Sequence, residues 1–169
     1  ISTADSPELK QAAEMAKADW EVLGAKVDVK VFEYGDLAQN IIKTRKYDAL
    51  LFGEFIGKDL DLYAFWHSSQ RNSPGLNVAM YVNSKADKLL EDARTTSDDA
   101  DRESKYLAFQ KIIQDEVPAI FLYSPEYTYI VPSKIQGIDF RQITNSSDRW
   151  YNINEWYMET DNVWRVFTK

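Results

Sequence analysis

Three carboxylates, Glu54, Asp59 and Asp61, fall within one short stretch, with Phe55 among them and Trp66, His67 and Asn77 close behind. A carboxylate held in a partly dry cleft binds an ammonium group by charge-assisted hydrogen bonds. An aromatic such as Trp66 supplies stacking area, His67 a hydrogen-bond donor, and Asn77 a group that both donates and accepts. Two carboxylates facing each other about 5 to 9 Å apart across a cleft would instead serve as acid and base in glycoside hydrolysis. Each residue also has a plainer use. The Asp59/Asp61 pair can cap the helix that carries Tyr63 to His67, one of Phe65 and Trp66 can be core, His67 can be a helix-end contact, and Asn77 a turn residue.

The elements around this stretch say why it is the place to look. Ala49 to Phe52 is an unbroken apolar run, which predicts a strand buried on both faces at the centre of a parallel sheet. In an open α/β sheet, ligands sit beyond the carboxyl ends of such strands. Upstream, Ile1 to Thr3 reads as the end of a strand. Ser6, Pro7 and Glu8 read as an N-cap, a proline in the first turn and an acid on the positive end of a helix dipole. Leu9, Ala12, Ala13, Ala16, Trp20 and Leu23 share one helical face, which stops at Leu23 or Gly24. Val27, Val29 and Val31 alternate with Asp28 and Lys30 as in a strand, and Asp36 caps a short helix bearing Leu37, Ile41 and Ile42. The result is β-α-β-α-β with right-handed parallel crossovers. No G-x-G-x-x-G stands in its first turn, so a dinucleotide site finds no support.

Downstream, Ser84 with Asp87 suggests a capping box, and Ala86, Leu89, Leu90 and Ala93 form a stripe that ends near Thr96. A second helix carries Tyr106, Phe109, Ile113 and Val117 before Pro118 stops it. Ala119 to Tyr123 and Tyr127 to Val131 have strand composition and are predicted as a hairpin or two separate strands. From Phe140 on, seven aromatics in thirty residues come without clear periodicity.

Composition narrows the function. With 169 residues and 44% hydrophobic, the chain suits one domain, and its net charge of −7 offers no basic stripe for nucleic acid. The absence of cysteine removes thiol catalysis, disulfides and cysteine metal sites, and a single histidine leaves neither a multi-histidine zinc centre nor, without a G-x-S-x-G elbow, a serine triad. Asp98, Asp99 and Asp101 lack the glycine and closing glutamate of a calcium loop and read as a solvated cap. Neither a cofactor nor a metal is expected.

The order of Gly53-Glu54, the Asp59/Asp61 pair, Phe65-Trp66-His67-Ser68-Ser69-Gln70, Gly75-x-Asn77, Tyr81-x-Asn83 and a helix with Asp87 and Ala93-Arg94 resembles the second lobe of extracellular solute-binding proteins of the dipeptide/oligopeptide-binding family, which serve ABC importers. The likeness runs from about Ser2 to Tyr157. It implies a partial lobe of a periplasmic-binding-protein-like α/β fold over 1–139, and a tail over 140–169 that returns toward a first lobe absent from this chain. It further implies a non-catalytic function: binding a peptide or an oligosaccharide by closure of two lobes and delivering it to an ABC permease. The compartment implied is periplasmic or extracellular, with membrane association through the transporter or a lipid anchor outside this fragment. Peptide-binding members use an acid in this loop, so Glu54, Asp59 and Asp61 are all candidates for the ligand anchor, and Asn77 matches the family's asparagine. Tail residues Trp150, Tyr151, Trp156, Tyr157, Trp164 and Phe167 would rest partly on the missing lobe, so the isolated chain is expected to self-associate through them. Two other classes stay open: a glycoside hydrolase built on the acidic loop, and an interaction domain whose aromatic tail packs on a partner.

Overall fold

A computed structural model describes residues 1–56, 61–139 and 146–158. The chain divides into two compact units, Ile1–Ile120 and Phe121–Lys169.

In the first unit, β1 (Ser2–Ala4), β2 (Lys30–Phe32) and β3 (Leu50–Leu51) form a parallel sheet in the order β2-β1-β3. Helix α1 (Pro7–Val22) joins β1 to β2. The Ser6 hydroxyl accepts from Leu9 N–H at 3.2 Å at its start, and Gly24, at φ +87°, follows its end. These features agree with the sequence reading. The sheet's centre does not. The strand expected over Ala49 to Phe52 is the two-residue β3, half-buried with one described neighbour, and Phe52 is exposed. The buried centre is β1, whose Ser2, Thr3 and Ala4 are all enclosed between two neighbours. The valine strand is shortened to Lys30–Phe32, because β1 offers ladder partners to Lys30, Val31 and Phe32 alone.

Between β2 and β3, α2 (Tyr34–Asp36) runs on into a wider turn over Leu37–Ile42, where Lys43 N–H reaches Ala38 O and Lys46 N–H reaches Ile41 O. Its cap is Glu33 and not Asp36: Glu33 Oε2 accepts from Gly35 N–H at 2.7 Å and Asp36 N–H at 3.2 Å. Asp36 accepts instead from Asn40 Nδ2. Arg45, at φ +55°, is pinned by donating to the carbonyls of Ile42, Arg71 and Gly75, which ties this layer to the loop after the candidate stretch.

The main core lies between α3 (Tyr63–Trp66), α4 (Ser84–Thr95) and α5 (Asp99–Glu116). Ala86, Leu90, Phe109 and Ile113 are buried there as the stripes predict, and Trp66 meets Tyr81 and Phe109 edge-on at 6.2 Å. The cap of α4 is Asn83, one residue before the predicted Ser84. Its Oδ1 accepts from Lys85 and Ala86 N–H, while Asp87 accepts from Ser68 N–H at 2.8 Å and Ser68 Oγ at 2.6 Å. Val117 leaves the apolar stripe: it ends α5 in the left-handed region at φ +48° and is largely exposed, since the residue before a proline is driven out of the helical well. The runs Ala119 to Tyr123 and Tyr127 to Val131 are not strands: neither joins a ladder among the described residues, and β-propensity alone does not make a sheet.

In the second unit, β4 (Ile135–Gln136) pairs antiparallel with β5 (Tyr157–Met158). Gly137 turns beside them at φ +80°, where a Cβ would come within 2.4 Å of Glu155 O. Buried Asn152 donates to Gly137 O and accepts from Trp156 Nε1 at 2.9 Å. Tyr127, Tyr129, Trp150 and Trp156 form a chain of ring contacts, with the Arg149 guanidinium over Tyr129 and Trp150. Tyr151 and Tyr157 are exposed; Trp164 and Phe167 lie outside the described residues.

The buried amide of Asn77 donates to Trp66 O, His67 O and Tyr81 O and accepts from Tyr81 N–H. Asn77→Ala should therefore cost about 2–4 kcal/mol, since several buried groups lose their partner together. Asn83→Ala, which removes a cap, should cost about 1 kcal/mol. Urea unfolding of both variants measures the difference, and equal losses would contradict the assignment of Asn77 as the stronger tie.

Candidate functional site

The chain passes from β1 to β2 on one side and then crosses to β3 on the other, so the carboxyl ends of β1 and β3 flank a topological switch point. Phe52 to Ile56 follows β3 at this edge. Phe52 and Phe55 expose 46% and 57% of their surface, and Glu54 between them is exposed as well. Glu54 makes neither an ion pair nor a hydrogen bond among the described residues. Surrounding protein pushes its carboxyl up from the ordinary 4.5 to about 7 through burial alone. That crowding and the open surface disagree in extent. Water reaches the group, so the surface governs, and only the upward direction bears on its chemistry.

The other candidates are turned inward. Asp59 lies outside the described residues. Asp61 Oδ2 pairs with Arg94 Nη2 at 2.9 Å, and its Oδ1 accepts from Tyr63 N–H at 3.2 Å. It thus caps α3, as the plainer reading has it, and also neutralises Arg94, which lies over the Tyr63 ring at 4.3 Å. Trp66, expected to face the cleft, is 6% exposed and belongs to the core, with Phe65 half-buried against the same cluster. The reason is spacing: a single helical turn beside α4 and α5 directs its last aromatic into their interface. His67 is also buried, stacked on Tyr63 at 4.0 Å. Ser69 N–H donates to its Nδ1 at 3.1 Å, which assigns the neutral ring's proton to Nε2, 3.4 Å from Glu91 Oε1. Asn77 is wholly buried.

Glu54 and Phe55 are accordingly the two predicted residues that remain open at the strand ends, whereas Asp61, Trp66, His67 and Asn77 knit α3 to α4 and to the loop before it. Arg94, Asp87 and Glu91, which hold that second group, are not among the residues chosen from sequence for the site. A signal for two of them is present: Asp87 and Arg94 are seven residues apart, about two turns of helix, and so share one face. An ion-paired Asp61 that also accepts from Tyr63 N–H is the arrangement of a binding or structural carboxylate.

Because the folded protein holds the Glu54 proton more tightly than the unfolded chain, this group costs no stability below the ordinary carboxylate range. It opposes folding progressively as pH rises above the ordinary carboxylate range. A carboxyl-carbon NMR titration should place the Glu54 midpoint above the ordinary value, and Glu54→Gln should flatten the fall of the melting temperature across that window. A midpoint at 4.5 would show a fully hydrated side chain.

No family model matches the chain. It is similar to the oligopeptide-binding protein AppA of Bacillus subtilis, 30% identical over 138 residues that make up 80% of this chain and 24% of AppA. It is also similar to the probable D,D-dipeptide-binding periplasmic protein DdpA of Escherichia coli, 26% identical over 82% of this chain and 33% of DdpA. Among solved structures, AppA in complex with a nonapeptide superposes with a TM-score of 0.71 at 25% identity, over 94% of this chain and 31% of that one. DppA of Helicobacter pylori in complex with the peptide STSA gives 0.63 at 22% identity, over 95% of this chain and 31% of that one, a likeness of fold. The chain spans about a quarter to a third of the length of these relatives. Its fold is a partial lobe of the periplasmic-binding-protein type, and its homologues are dipeptide- and oligopeptide-binding proteins, of which it spans one segment.

Proposed function

We propose that this chain is the second-lobe segment of a non-catalytic solute-binding protein that takes a peptide or related small solute for an ABC importer. The observation that carries the proposal is the match, in sequence and in fold, to peptide-binding relatives along 80% or more of the chain. The geometry supports it: the carboxyl edge of the parallel sheet leaves Phe52, Glu54 and Phe55 unspent, while the neighbouring acid Asp61 is committed to Arg94. Aromatic surface beside an unpaired carboxylate suits a solute with a basic group and an apolar part. Closure of a first lobe over this edge would exclude water and strengthen the contact, and the difference between open and closed forms is what a permease would read. The periplasm or cell exterior is the compartment that follows, with DdpA described as periplasmic. No helix of the described residues is long and apolar enough to cross a membrane, so attachment would run through the transporter or through a lipid anchor outside this segment.

In the full-length protein, Phe55→Ala and Glu54→Gln should each weaken calorimetric binding of a basic tripeptide by about tenfold without loss of thermal stability, and neither protein should release cleavage products. Peptide or glycoside turnover abolished by Glu54→Gln would replace binding by hydrolysis, and tighter binding of an oligosaccharide than of any peptide would change the solute class.

The same reading assigns residues 140–169 to a tail that returns toward the first lobe. Trp150, Tyr151, Tyr157 and Met158 are exposed, and apolar surface of that kind is disfavoured by about 25 cal/mol per Å² in water. Sedimentation of the 169-residue chain should show self-association that rises with concentration and is absent from the full-length protein. A monomer at every concentration would mean that the tail is covered within the chain.

A further inference from the structure

A small recess of about 300 Å³ lies between the end of α4 and the start of α5, lined by Asp61, Ala93, Arg94, Arg102 and Tyr106. Its polar groups are out of balance. Each guanidinium carries five N–H donors, yet among the described residues Arg94 is engaged by Asp61 at 2.9 Å and Arg102 by the exposed Asp99 at 2.5 Å. The Tyr106 hydroxyl, on a half-buried ring, has no hydrogen-bond partner among the described residues. Burial first, and then the Asp61 carboxylate, push its pKa up while Arg102 and Arg94 pull it down, so one phenol feels all three charged groups. Asp61 is the one carboxylate among the described residues that line the recess. It has a bond on each oxygen already, one from Arg94 and one from Tyr63 N–H. N–H and O–H donors outnumber acceptors among the described residues that line the recess.

Two further features favour a ligand made of acceptors. Arg94 is fixed from two sides, by Asp61 and by the Tyr63 ring at 4.3 Å, so its remaining donors are held in place before anything binds. Arg102, in the first turn of α5, lines the same recess as Arg94, while Asp98, Asp99 and Asp101 occupy the positive end of that helix. A planar guanidinium fork matches the spacing of two oxygens on one centre, as in a carboxylate or a phosphate. The volume, that of about ten waters, admits a small anion together with some of its hydration.

We propose that this recess is a binding site for a small oxyanion, held by Arg102, Arg94 and the Tyr106 hydroxyl. The assignment does not rest on the transport function. An anion here would bridge α4 to α5 beside the Asp61 cap, and so would stiffen the turn that follows the acidic loop.

The test is an NMR titration of the 169-residue chain with inorganic phosphate and, separately, with acetate, at constant ionic strength set by chloride. Saturable shifts of the Arg102 and Arg94 side-chain N–H signals and of the Tyr106 ring are expected with at least one of the two anions, phosphate alone marking a tetrahedral dianion site and acetate a carboxylate site. Arg102→Gln, which breaks only an exposed pair with Asp99, should weaken the binding by about tenfold, and Tyr106→Phe should weaken it by several-fold. Absence of saturation with both anions, or shifts unchanged in both variants, would overturn the site.

Discussion

The first unit depends on one buried amide. Asn77 lies wholly inside the protein and answers backbone groups from three places: the end of α3, the residue after it, and Tyr81 ahead of α4. No apolar side chain of similar size could do this, since the loop around it carries buried N–H and C=O groups that need partners. The loop in turn is anchored to the sheet layer by Arg45, which donates to the carbonyls of Arg71 and Gly75, and by the Tyr47 hydroxyl, which donates to Val78 O at 2.6 Å. Sheet, loop and helix pair therefore share a set of side-chain to backbone bonds in addition to their apolar contacts. That matters for a lobe whose sheet is only three short strands.

Charge is distributed by the same logic. Asp61, Asp87 and Glu91 lie near the candidate stretch, and each is used internally: Asp61 by Arg94 and Tyr63 N–H, Asp87 by Ser68, and Glu91 by His67. Such bonds orient α3 against α4, and they remove these acids from competition for a ligand. Glu54 is left with surface and no cation among the described residues. A carboxylate without a described partner is the one in this stretch to test against an outside partner.

Sequence reading succeeded where the signal is local and failed where the answer depends on a distant partner. Ser6 could be placed as a cap because Pro7 and Glu8 stand immediately behind it, and the stripe of Ala86, Leu90 and Ala93 because helical spacing repeats. Asn83 and Ser84 are adjacent cap formers, so composition alone places the cap within one residue; the choice falls to Asn83 because Ser68 draws Asp87 away from a capping box. Phe65 and Trp66 are likewise neighbours, and only the position of Phe109, more than forty residues on, decides which ring is buried. Ala119 to Val131 has strand composition, but a strand is defined by its neighbour, and none is paired with it among the described residues. The sheet's centre went to β1 for a related reason: three residues at the start of a sequence carry too little pattern to compete with the apolar run at Ala49 to Phe52.

Trp66 and Phe55 are aromatics of the same unit put to opposite uses. Trp66 has two edge-on ring partners and a buried backbone carbonyl tied to Asn77, so its area is spent on holding α3 in place. Phe55 has most of its surface in water, at the edge where the strands end. An exposed phenylalanine beside a carboxylate with no partner among the described residues gains nothing for the unit by itself and, on the transport reading, gains its contacts only when a solute and a second lobe arrive. Such contacts belong to the closed state and not to the open one. They contribute differential binding, and differential binding is the only kind of contact that can move an open-to-closed equilibrium.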